Sequence, residues 1–414
     1  MAAAESVGFG SPLEGVRVLE IADHRGEFCG RLLANLGADV VKVEPPGGST
    51  GRGIGPFYQN EPGLEKSLFW WHYNAGKRGV TLDLQRASGV GVLERLLDGA
   101  DVLIETLGPG GLDGIGLGWE TLHSRYPGLI VLSLSDFGLD GPWAAYQGGD
   151  LVSLALGGQM MISGYPPGAD GAWDTPPIAP QMHQSLHIAG CLGTMDVLAA
   201  LAWRDDTGRG QRIDLSLHAA ANNCTENNLS WYMIAGQVKG RAAQFPEMFA
   251  GDGKYMNVML GLFPGEWERV VELLDSFEMA EDLKDPRYAD PLFRRQLEVR
   301  QHVDEVVQTF LATKDSEEVF LAAQRHGVIW APIREPHDSL NDEHFQIRGN
   351  FADVEHPELG RSFTDAGSPW VSERLPWRTG SRAPMLGEHN DVIFRDELGL
   401  SSDEVAALAD DGPH

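Results

Sequence analysis

Two histidines, His183 and His187, are the side chains whose spacing most directly suggests chemistry. They are four residues apart, so on a helix both would lie on one face. An imidazole that titrates near neutral pH can act as a general base that activates water or abstracts a proton. The pair could also begin a metal site, but the sequence offers no convincing third ligand, so no metal is expected. The alternative is that both are partly exposed helix residues, or a polar pair whose hydrogen bonds are already satisfied.

A second group of residues carries positive charge and could bind phosphate groups. Its members are Arg25, Arg52, Lys77 and Arg78. The same residues could instead be ordinary surface or fold-supporting charge. The turn after the first predicted strand lacks a Gly-x-Gly-x-x-Gly pattern, so the usual cradle for a dinucleotide pyrophosphate is absent. Glu44, at the end of the second strand, resembles a ribose-binding acid only weakly, and a nicotinamide cofactor is not expected.

The two histidines lie at the start of a stretch that reads as a helix, a glycine turn and a strand. Apolar residues recur there at steps of three and four, which predicts an amphipathic helix that buries one side. Glycines at 208 and 210 end the helix, and residues 213–217 alternate as a half-buried strand does. The residues of the predicted buried stripe are Leu186, Cys191, Met195, Leu198, Leu201 and Ala202.

Short apolar strands alternate with helices in the first half of the chain. This pattern predicts an α/β fold with a doubly wound parallel sheet. The Gly- and Pro-rich run at 163–177 has no periodicity and is predicted to be a loop. The predicted strands are 16–21, 40–43, 101–105 (the third) and 129–133 (the fourth), and the first predicted helix is 27–36.

The second half predicts a smaller α/β domain. Its pattern is mostly helical, with two apolar segments that read as strands. The predicted helices are 221–245, 267–274, 294–311 and 316–326, and the predicted strands are 253–262 and 328–334. We therefore expect a large domain over 12–220, a small domain with linker helices over 221–335, and a C-terminal segment, 336–414, that returns to the large domain.

Composition limits the class of protein. The 414 residues are 42% hydrophobic and can bury a large core. The formal net charge of -28 disfavours nucleic acid and anionic membranes as partners. The chain has no apolar run of about 20 residues and no secretory signal at its start. Its three dispersed cysteines point to a reducing compartment, so we expect a cytoplasmic protein.

Four segments together resemble the family III CoA-transferases, the formyl-CoA transferase and carnitine and bile-acid CoA-transferase group. The first is LLANLGADVVKVEPPGG at 32–48, and the second is NAGKRGVTLDL at 74–84. The third, AALAWRDDTGRGQRIDLSL at 199–217, resembles the central signature of the family. Gly387-Glu388-His389-Asn390 resembles its C-terminal motif. The resemblance implies two chains that interlock like rings around each other.

In this family an aspartate opens the central helix and attacks the acyl-CoA thioester, forming a mixed anhydride and then an aspartyl-CoA thioester. The family spacing places that position on Leu186, whether it is counted from Gly190 or from Thr207. No carboxylate lies between Asp174 and Asp196. The related α-methylacyl-CoA racemases use a histidine in Gly-His-Asp, but here the motif reads Gly148-Gly149-Asp150. Neither reactive group is therefore present.

The resemblance also implies where CoA would bind, as a substrate and not as a permanently bound cofactor. The family holds the adenosine diphosphate after the first three sheet strands. The corresponding residues of this chain are His24, Arg25, Arg52, Leu82, Thr106 and Leu107.

Three functions remain open at this point. The first is a subunit of a CoA-transferase that moves CoA between an acyl-CoA and a free carboxylic acid. The 11 tryptophans suggest an aromatic acid. A homologous partner subunit would then carry the aspartate, as in the benzylsuccinate type, although a dimer with itself is the alternative. The second is a CoA-ester isomerase, lyase or hydrolase that uses His183 or His187. The third is a non-catalytic binding or regulatory protein.

Overall fold

We describe the protein from a computed structural model. The structure describes residues 10–168, 170–238, 240–241, 248–261 and 263–410. The chain divides into a larger unit, formed by Met1–Gly164, Gly168–Arg241 and Gln346–His414, and a smaller unit, formed by Tyr165–Pro167 and Ala242–Phe345. Of the predicted C-terminal segment, residues 346–414 are part of the larger unit, whereas 336–345 belong to the smaller one.

A six-stranded sheet forms the centre of the larger unit, and neighbouring strands all pair in parallel. The strands are β1 (Arg17–Ile21), β2 (Asp39–Glu44), β3 (Arg78–Thr81), β4 (Val102–Glu105), β5 (Ile130–Ser135) and β6 (Arg212–Ser216). Their order in the sheet, β3-β2-β1-β4-β5-β6, confirms the predicted doubly wound α/β fold. The order reverses between β1 and β4, where such sheets form a crevice at their carboxyl ends.

One strand was missed from the sequence. The strand predicted as third, 101–105, is the fourth in the structure because β3 precedes it. β3 reads Arg-Gly-Val-Thr, with Val80 as its single large apolar residue, so it lacks the apolar run by which buried strands are recognised.

Helices cover both faces of this sheet, as short crossover connections require. Each face of the sheet has its own hydrophobic cluster. One cluster contains residues of α3 and α5, and the other contains residues of α1 and α8. The helices up to this point of the chain are α1 (Glu27–Asn35), α2 (Leu68–Tyr73), α3 (Ala87–Leu97), α4 (Gly111–Gly114), α5 (Trp119–Arg125), α6 (Asp150–Leu156), α7 (Gln159–Ile162) and α8 (Gln184–Thr207).

Helix α8 forms as predicted, but only Leu186 and Leu201 of the predicted buried stripe are buried, and its other four residues are exposed. Its buried residues are mostly small, and a Cβ on Gly190 would lie 2.7 Å from Phe28 of α1. Small residues therefore let α1 and α8 approach closely, whereas Met195 of the predicted stripe is 63% exposed. The prediction is wrong at these four positions because it followed hydrophobicity, while the close contact selects side-chain size. Helix α8 is long and apolar enough to cross a membrane. However, half of its apolar stretch is buried in the protein, and the core helices of soluble proteins can have the same length and composition.

The segment after α8 forms two short helices, α9 (Leu217–Asn223) and α10 (Glu226–Ala235), where one helical region over 221–245 was expected. Residues 239 and 242–247 of that prediction lie outside the described residues. The predicted loop at 163–177 is confirmed for its described residues, with 169 outside them.

In the described residues of the smaller unit, three main helices pack around one hydrophobic cluster that includes Phe310 and Trp330. Three predicted helices are confirmed: α11 (Glu266–Asp275), α13 (Leu297–Ala312) and α14 (Ser316–Arg325); the short α12 (Pro291–Arg294) adds a turn. The predicted strands 253–262 and 328–334 shorten to β8 (Tyr255–Asn257) and β9 (Ala331–Pro332), which form an antiparallel sheet with β7 (Met248–Phe249). Residue 262 lies outside the described residues. Val258 and Trp330 are buried without ladder pairing, so burial alone produced their strand-like pattern.

The C-terminal segment completes the larger unit. Its elements are a short helix at the boundary, α15 (Glu343–Ile347), an antiparallel hairpin of β10 (Phe351–His356) and β11 (Arg361–Ala366), a π-helix (Asp391–Glu397) and α16 (Ser402–Asp410). The backbone N–H of His389 donates to the Gly79 carbonyl in β3. Ile393 and Phe394 join the hydrophobic cluster of the sheet.

The three cysteines differ in accessibility, which leads to a simple prediction. Cys29 is buried, and burial raises the pKa of its thiol to about 12, whereas Cys191 and Cys224 are exposed in the chain. Since the thiolate is the reactive form, iodoacetamide should leave Cys29 unmodified in the native protein and label it after unfolding. Peptide mapping by mass spectrometry measures this. Labelling of native Cys29 at the rate of an unfolded thiol would contradict the packing of α1.

Candidate active site

The amino end of α8 is held by a carboxylate from another helix. The Asp150 Oδ1, at the start of α6, accepts hydrogen bonds from the Ser185 backbone N–H at 2.9 Å and from its hydroxyl at 2.7 Å. A carboxylate is favoured there because the helix dipole places partial positive charge at that end. Gly149 has φ 137°, a conformation open to glycine, and it turns the chain into α6.

The residues before α8 depart from helical geometry. Met182 and His183 both have positive φ, 66° and 53°, which is uncommon for residues with a side chain. The helix begins at Gln184, so His183 is outside it. The ring of His183 packs edge-on against Phe69 at 5.3 Å, and the ring of His187 stacks on Phe28 at 4.5 Å. The two histidines therefore do not share a helix face as predicted.

Leu186, which the family spacing predicts to be the nucleophile position, lies in the first turn of α8. Its side chain is 2% exposed. It belongs to a small hydrophobic cluster with Leu134 of β5, and with Leu217 and Ala220 of α9. The surroundings of this position are thus hydrocarbon.

His187 has a hydrogen-bond partner that sequence reasoning missed. The Tyr73 hydroxyl, at the end of α2, lies 2.5 Å from the His187 Nε2. Desolvation lowers the pKa of His187, and the charges of His72, His183 and Arg31 lower it further. Burial raises the pKa of Tyr73 to about 12. Both side chains are therefore neutral at pH 7. The available signal in the sequence was the aromatic run Phe-Trp-Trp-His-Tyr directly before the Asn74 motif.

The described residues contain no group of three or more His, Cys, Asp and Glu side chains that could hold a metal ion.

A cavity of about 420 Å³ lies at the carboxyl ends of the first strands, where the sheet order reverses. The predicted CoA residues Leu82, Thr106 and Leu107 line it. Its volume is within the range of small-molecule sites. The structure thus brings three of the six predicted CoA-binding residues to one pocket.

The predicted residues His24 and Arg25 lie beside this cavity and are engaged by neighbours. The His24 Nδ1 is 3.1 Å from the hydroxyl of Thr50, which lines the cavity. The Arg25 guanidinium donates to the Asp23 carboxylate at 2.8 Å and to the Thr106 carbonyl at 2.7 Å. Its other amino group lies 3.3 Å from Asp136. Arg25 thus shares its charge with two carboxylates.

Arg52 is fully enclosed. It is 1% exposed and makes two hydrogen bonds to the Glu44 carboxylate, at 2.6 and 2.8 Å. Its remaining amino group donates to Glu65 at 2.8 Å, and its plane lies 3.8 Å from the centre of a Trp70 ring. The guanidinium therefore supports the loop after β2, and it is not exposed to a ligand in this structure.

Lys77 and Arg78 are also paired. The Lys77 ammonium donates to Glu20 at 3.0 Å and to the Asn74 side chain at 2.9 Å. Arg78 donates to Asp39 at 2.8 Å. The basic residues that could have bound phosphate thus all have carboxylate partners.

The electrostatics of the cavity follow from this pairing. Its described lining includes Asp23, Glu44 and Asp83 and no Lys or Arg. The three carboxylates are paired with Arg25, Arg52 and Arg86, so a CoA diphosphate placed here would meet backbone N–H groups without a cation from the lining. Phosphate sites usually supply such a cation.

Comparisons with known proteins identify the family of this chain. Residues 13–390 match the family model for CoA-transferase family III. The chain is 30% identical over 406 residues to succinyl-CoA:(R)-benzylsuccinate CoA-transferase subunit BbsE of Thauera aromatica, covering 96% of this chain and 97% of that protein. It is also 30% identical over 425 residues to the formyl-CoA:oxalate CoA-transferase of Streptomyces coelicolor, covering 97% and 98%.

Among solved structures, the chain resembles a CaiB/BaiF family protein from Brucella suis. The TM-score is 0.79 at 28% identity, over 94% of this chain and 100% of that one. These relatives are named as CoA-transferases or share the fold over nearly their whole length. The chain therefore belongs to CoA-transferase family III, an enzyme family whose substrates are CoA thioesters.

Proposed function

We propose that this chain is a subunit of a CoA-transferase that moves CoA between an acyl-CoA and a free carboxylic acid, and that a homologous partner subunit supplies the attacking carboxylate. The observation that carries the proposal is Leu186. It occupies the first turn of α8, where the family keeps its aspartate, and it is buried among Leu134, Leu217 and Ala220.

The family chemistry requires a group that leaves as readily as it attacks. A carboxylate attacks the thioester carbonyl and releases CoA thiolate, which leaves an acyl anhydride on the enzyme. The thiolate then attacks the enzyme carbonyl, and the donor acid leaves as its carboxylate. The acceptor carboxylate takes CoA from the resulting enzyme thioester by the reverse of these two steps, which restores the enzyme carboxylate. A hydrocarbon side chain can take part in neither step. Asp150, the acid that caps α8, uses one carboxylate oxygen to accept two hydrogen bonds from Ser185.

The cavity at the sheet edge supports assigning CoA chiefly to the partner. The described lining of this cavity supplies no cation for phosphate groups, and the nearby Arg25 is shared between Asp23 and Asp136. Leu82, Thr106 and Leu107 could still contact the neutral adenosine part of CoA. In this proposal CoA is a substrate, and the protein holds no permanent cofactor.

The surface of the larger unit supports a large interface with another chain. None of the residues in α10 is buried, although the helix includes Leu229, Met233 and Ile234, the last of which is 87% exposed. Met195 on α8 is also exposed. Large exposed apolar patches mark association sites in proteins that remain soluble. We propose that a homologous chain covers them in an interlocked dimer.

The acid substrate is proposed to carry an aromatic ring. The relative BbsE is named as a subunit of an enzyme that acts on benzylsuccinate. In this chain, the rings of Phe28, Phe69 and Tyr73 surround His187 and His183. Stacked and edge-on ring contacts would favour an aromatic acid over an aliphatic one. We further propose a cytoplasmic location, because the three cysteines are free.

The test is reconstitution with a homologous chain that has aspartate at the position of Leu186. We expect CoA transfer to an aromatic acid only when both chains are present, and loss of turnover by a factor of 10³ or more, on the order of magnitude seen for lost nucleophiles, when the partner's aspartate becomes alanine. Hydroxylamine trapping followed by peptide mass spectrometry should find the acyl-enzyme on the partner.

Two results would overturn the proposal. One is full activity of this chain alone, above all with the trapped acyl group on Asp150. The other is binding of acyl-CoA without turnover in any pairing, which would indicate a regulatory protein. An Asp150→Asn variant separates these readings, because an amide still accepts the hydrogen bonds from Ser185 but is a poor nucleophile.

A further inference from the structure

We propose that His187 is a hydrogen-bond donor, through its Nδ1–H, to an oxygen of the acyl group or acid, and that Tyr73 holds it in this form. His187 directly follows Leu186, the position at which the family attacks the thioester. A donor at this place would polarise the reacting carbonyl or orient the acid carboxylate. The role toward substrate rests on the proposed function, whereas the form of the ring does not.

The hydrogen bond between Tyr73 and His187 determines which nitrogen carries the proton. Tyr73 is 5% exposed, and among the described residues the only hydrogen-bond partner of its hydroxyl is the His187 Nε2, at 2.5 Å. A buried hydroxyl donates its proton when an acceptor is available, because an unused donor is costly. A neutral imidazole has one donor and one acceptor nitrogen. Because Nε2 accepts from Tyr73, the proton of His187 is on Nδ1.

The ring is also held in orientation. Phe28 stacks on one face of His187 at 4.5 Å with planes 28° apart, and Tyr73 meets it edge-on at 5.5 Å. Phe28 is itself wedged against Gly190, where no Cβ would fit. Rotation of the imidazole would therefore disturb the contact between α1 and α8. Such fixed orientation is what a polarising group needs, since it lowers the reorganisation required during reaction.

The charged groups around His187 favour the neutral ring. The cationic or potentially cationic neighbours are His72, His183 and Arg31, and the Asp150 carboxylate acts in the opposite direction. Together with burial, these cations lower the pKa of His187. In its neutral form the imidazole still donates a hydrogen bond from its Nδ1–H to a carbonyl oxygen.

With its proton on Nδ1, the His187 ring can act as a hydrogen-bond donor but not as a general base. A general base needs a free lone pair, and the Nε2 lone pair of His187 already accepts from Tyr73. No described residue accepts from the Nδ1–H, and His187 is only half-buried, so that nitrogen remains open to a ligand. The geometry thus favours binding and polarisation over proton abstraction by an isomerase, lyase or hydrolase.

The direct test is the nitrogen spectrum of His187. In the full chain with ¹⁵N-labelled histidine, assigned by loss of its signals in His187→Gln, long-range proton–nitrogen correlation distinguishes the two tautomers and the cation. We expect the neutral Nδ1–H form at pH 7 and at pH values somewhat below 6.5, the ordinary pKa of the group. Tyr73→Phe should release the ring to the Nε2–H form. A wild-type ring that is Nε2–H or cationic at pH 7 would overturn the proposal.

The kinetic test uses the reconstituted two-chain enzyme. His187→Leu should lower kcat/KM about 10²-fold, the loss typical of one polarising donor, while His187→Gln, which keeps a donor, should lose less than about 10-fold. The control is His337→Leu, an exposed histidine of the smaller unit. Equal activity of His187→Leu and wild type would refute the role. If no pairing transfers CoA, the proposed function fails, but the nitrogen spectrum still decides the tautomer.

Discussion

Replacing Lys42 with Met should lower the free energy of unfolding by about 3–5 kcal/mol, the usual cost of breaking a buried ion pair. Lys42 is fully buried, and its ammonium lies 2.9 Å from Glu20 and 3.1 Å from Glu27. Methionine nearly preserves the volume of the side chain but leaves the carboxylates short of a cation. The effect should be large because water does not reach the buried carboxylates to solvate them when the ammonium is removed.

The remaining members of this cluster cannot compensate. Lys77 contacts Glu20 at 2.8 Å, and the Ser49 hydroxyl donates to Glu27 at 2.9 Å. Burial alone would raise the pKa of Glu27, but Lys42 and Lys77 lower it below its ordinary value of 4.5. Glu27 therefore stabilises the fold above about pH 4.5, and this stabilisation is lost as pH falls through its depressed folded-state pKa. In Lys42→Met the acid unfolding midpoint should move to higher pH.

Urea unfolding monitored by circular dichroism, at several pH values, measures both effects. Lys66→Met is the matched control, because Lys66 forms a surface pair with Glu61 with both side chains substantially exposed. Surface pairs contribute about 0–1 kcal/mol. If the two variants were equally stable, the buried cluster would not stabilise the sheet as its geometry implies.

Leu186→Asp should destabilise the protein by about 2–5 kcal/mol and should not give the isolated chain transferase activity. The new carboxylate would replace a side chain that is 2% exposed and packed against Leu134, Leu217 and Ala220. Apolar surroundings raise the pKa of a carboxyl group. The penalty should therefore grow as pH rises above about 3.9, the usual value for aspartate, until the folded-state group ionises.

Two further variants separate volume from charge. Leu186→Met conserves volume and should cost less than about 1.5 kcal/mol. Leu186→Asn adds a polar group without a titratable charge, so its stability should not follow the same pH dependence. Thermal unfolding and a CoA-transfer assay of each variant provide the measurements. An Asp variant that transfers CoA unaided would show a working active site that lacks only its nucleophile. An Asp variant as stable as the Met variant would contradict the apolar surroundings of residue 186.

Local pattern was sufficient for much of the fold. The strands β1, β2, β4 and β5 and the helices α1, α8, α11 and α14 were predicted within a few residues, because apolar runs and glycine turns are properties of neighbouring residues. The prediction that residue 186 corresponds to the family nucleophile also rests on sequence alone, since the motif spacing is counted within one helix and its turn. Val80 shows the limit, because a short strand with one large apolar residue has no local signal.

Only the tertiary structure determines which side chains contact each other. Tyr73 and His187 are 114 residues apart, so no window of sequence could place the hydroxyl on the imidazole. A guanidinium carries the same charge wherever it lies, yet the enclosure of Arg52 by Glu44 and Glu65 decides whether a ligand can use it. The buried face of α8 likewise depends on Phe28 of α1, which requires glycine at 190. Periodicity reports which residues could be buried, but the element that packs against them determines which side is.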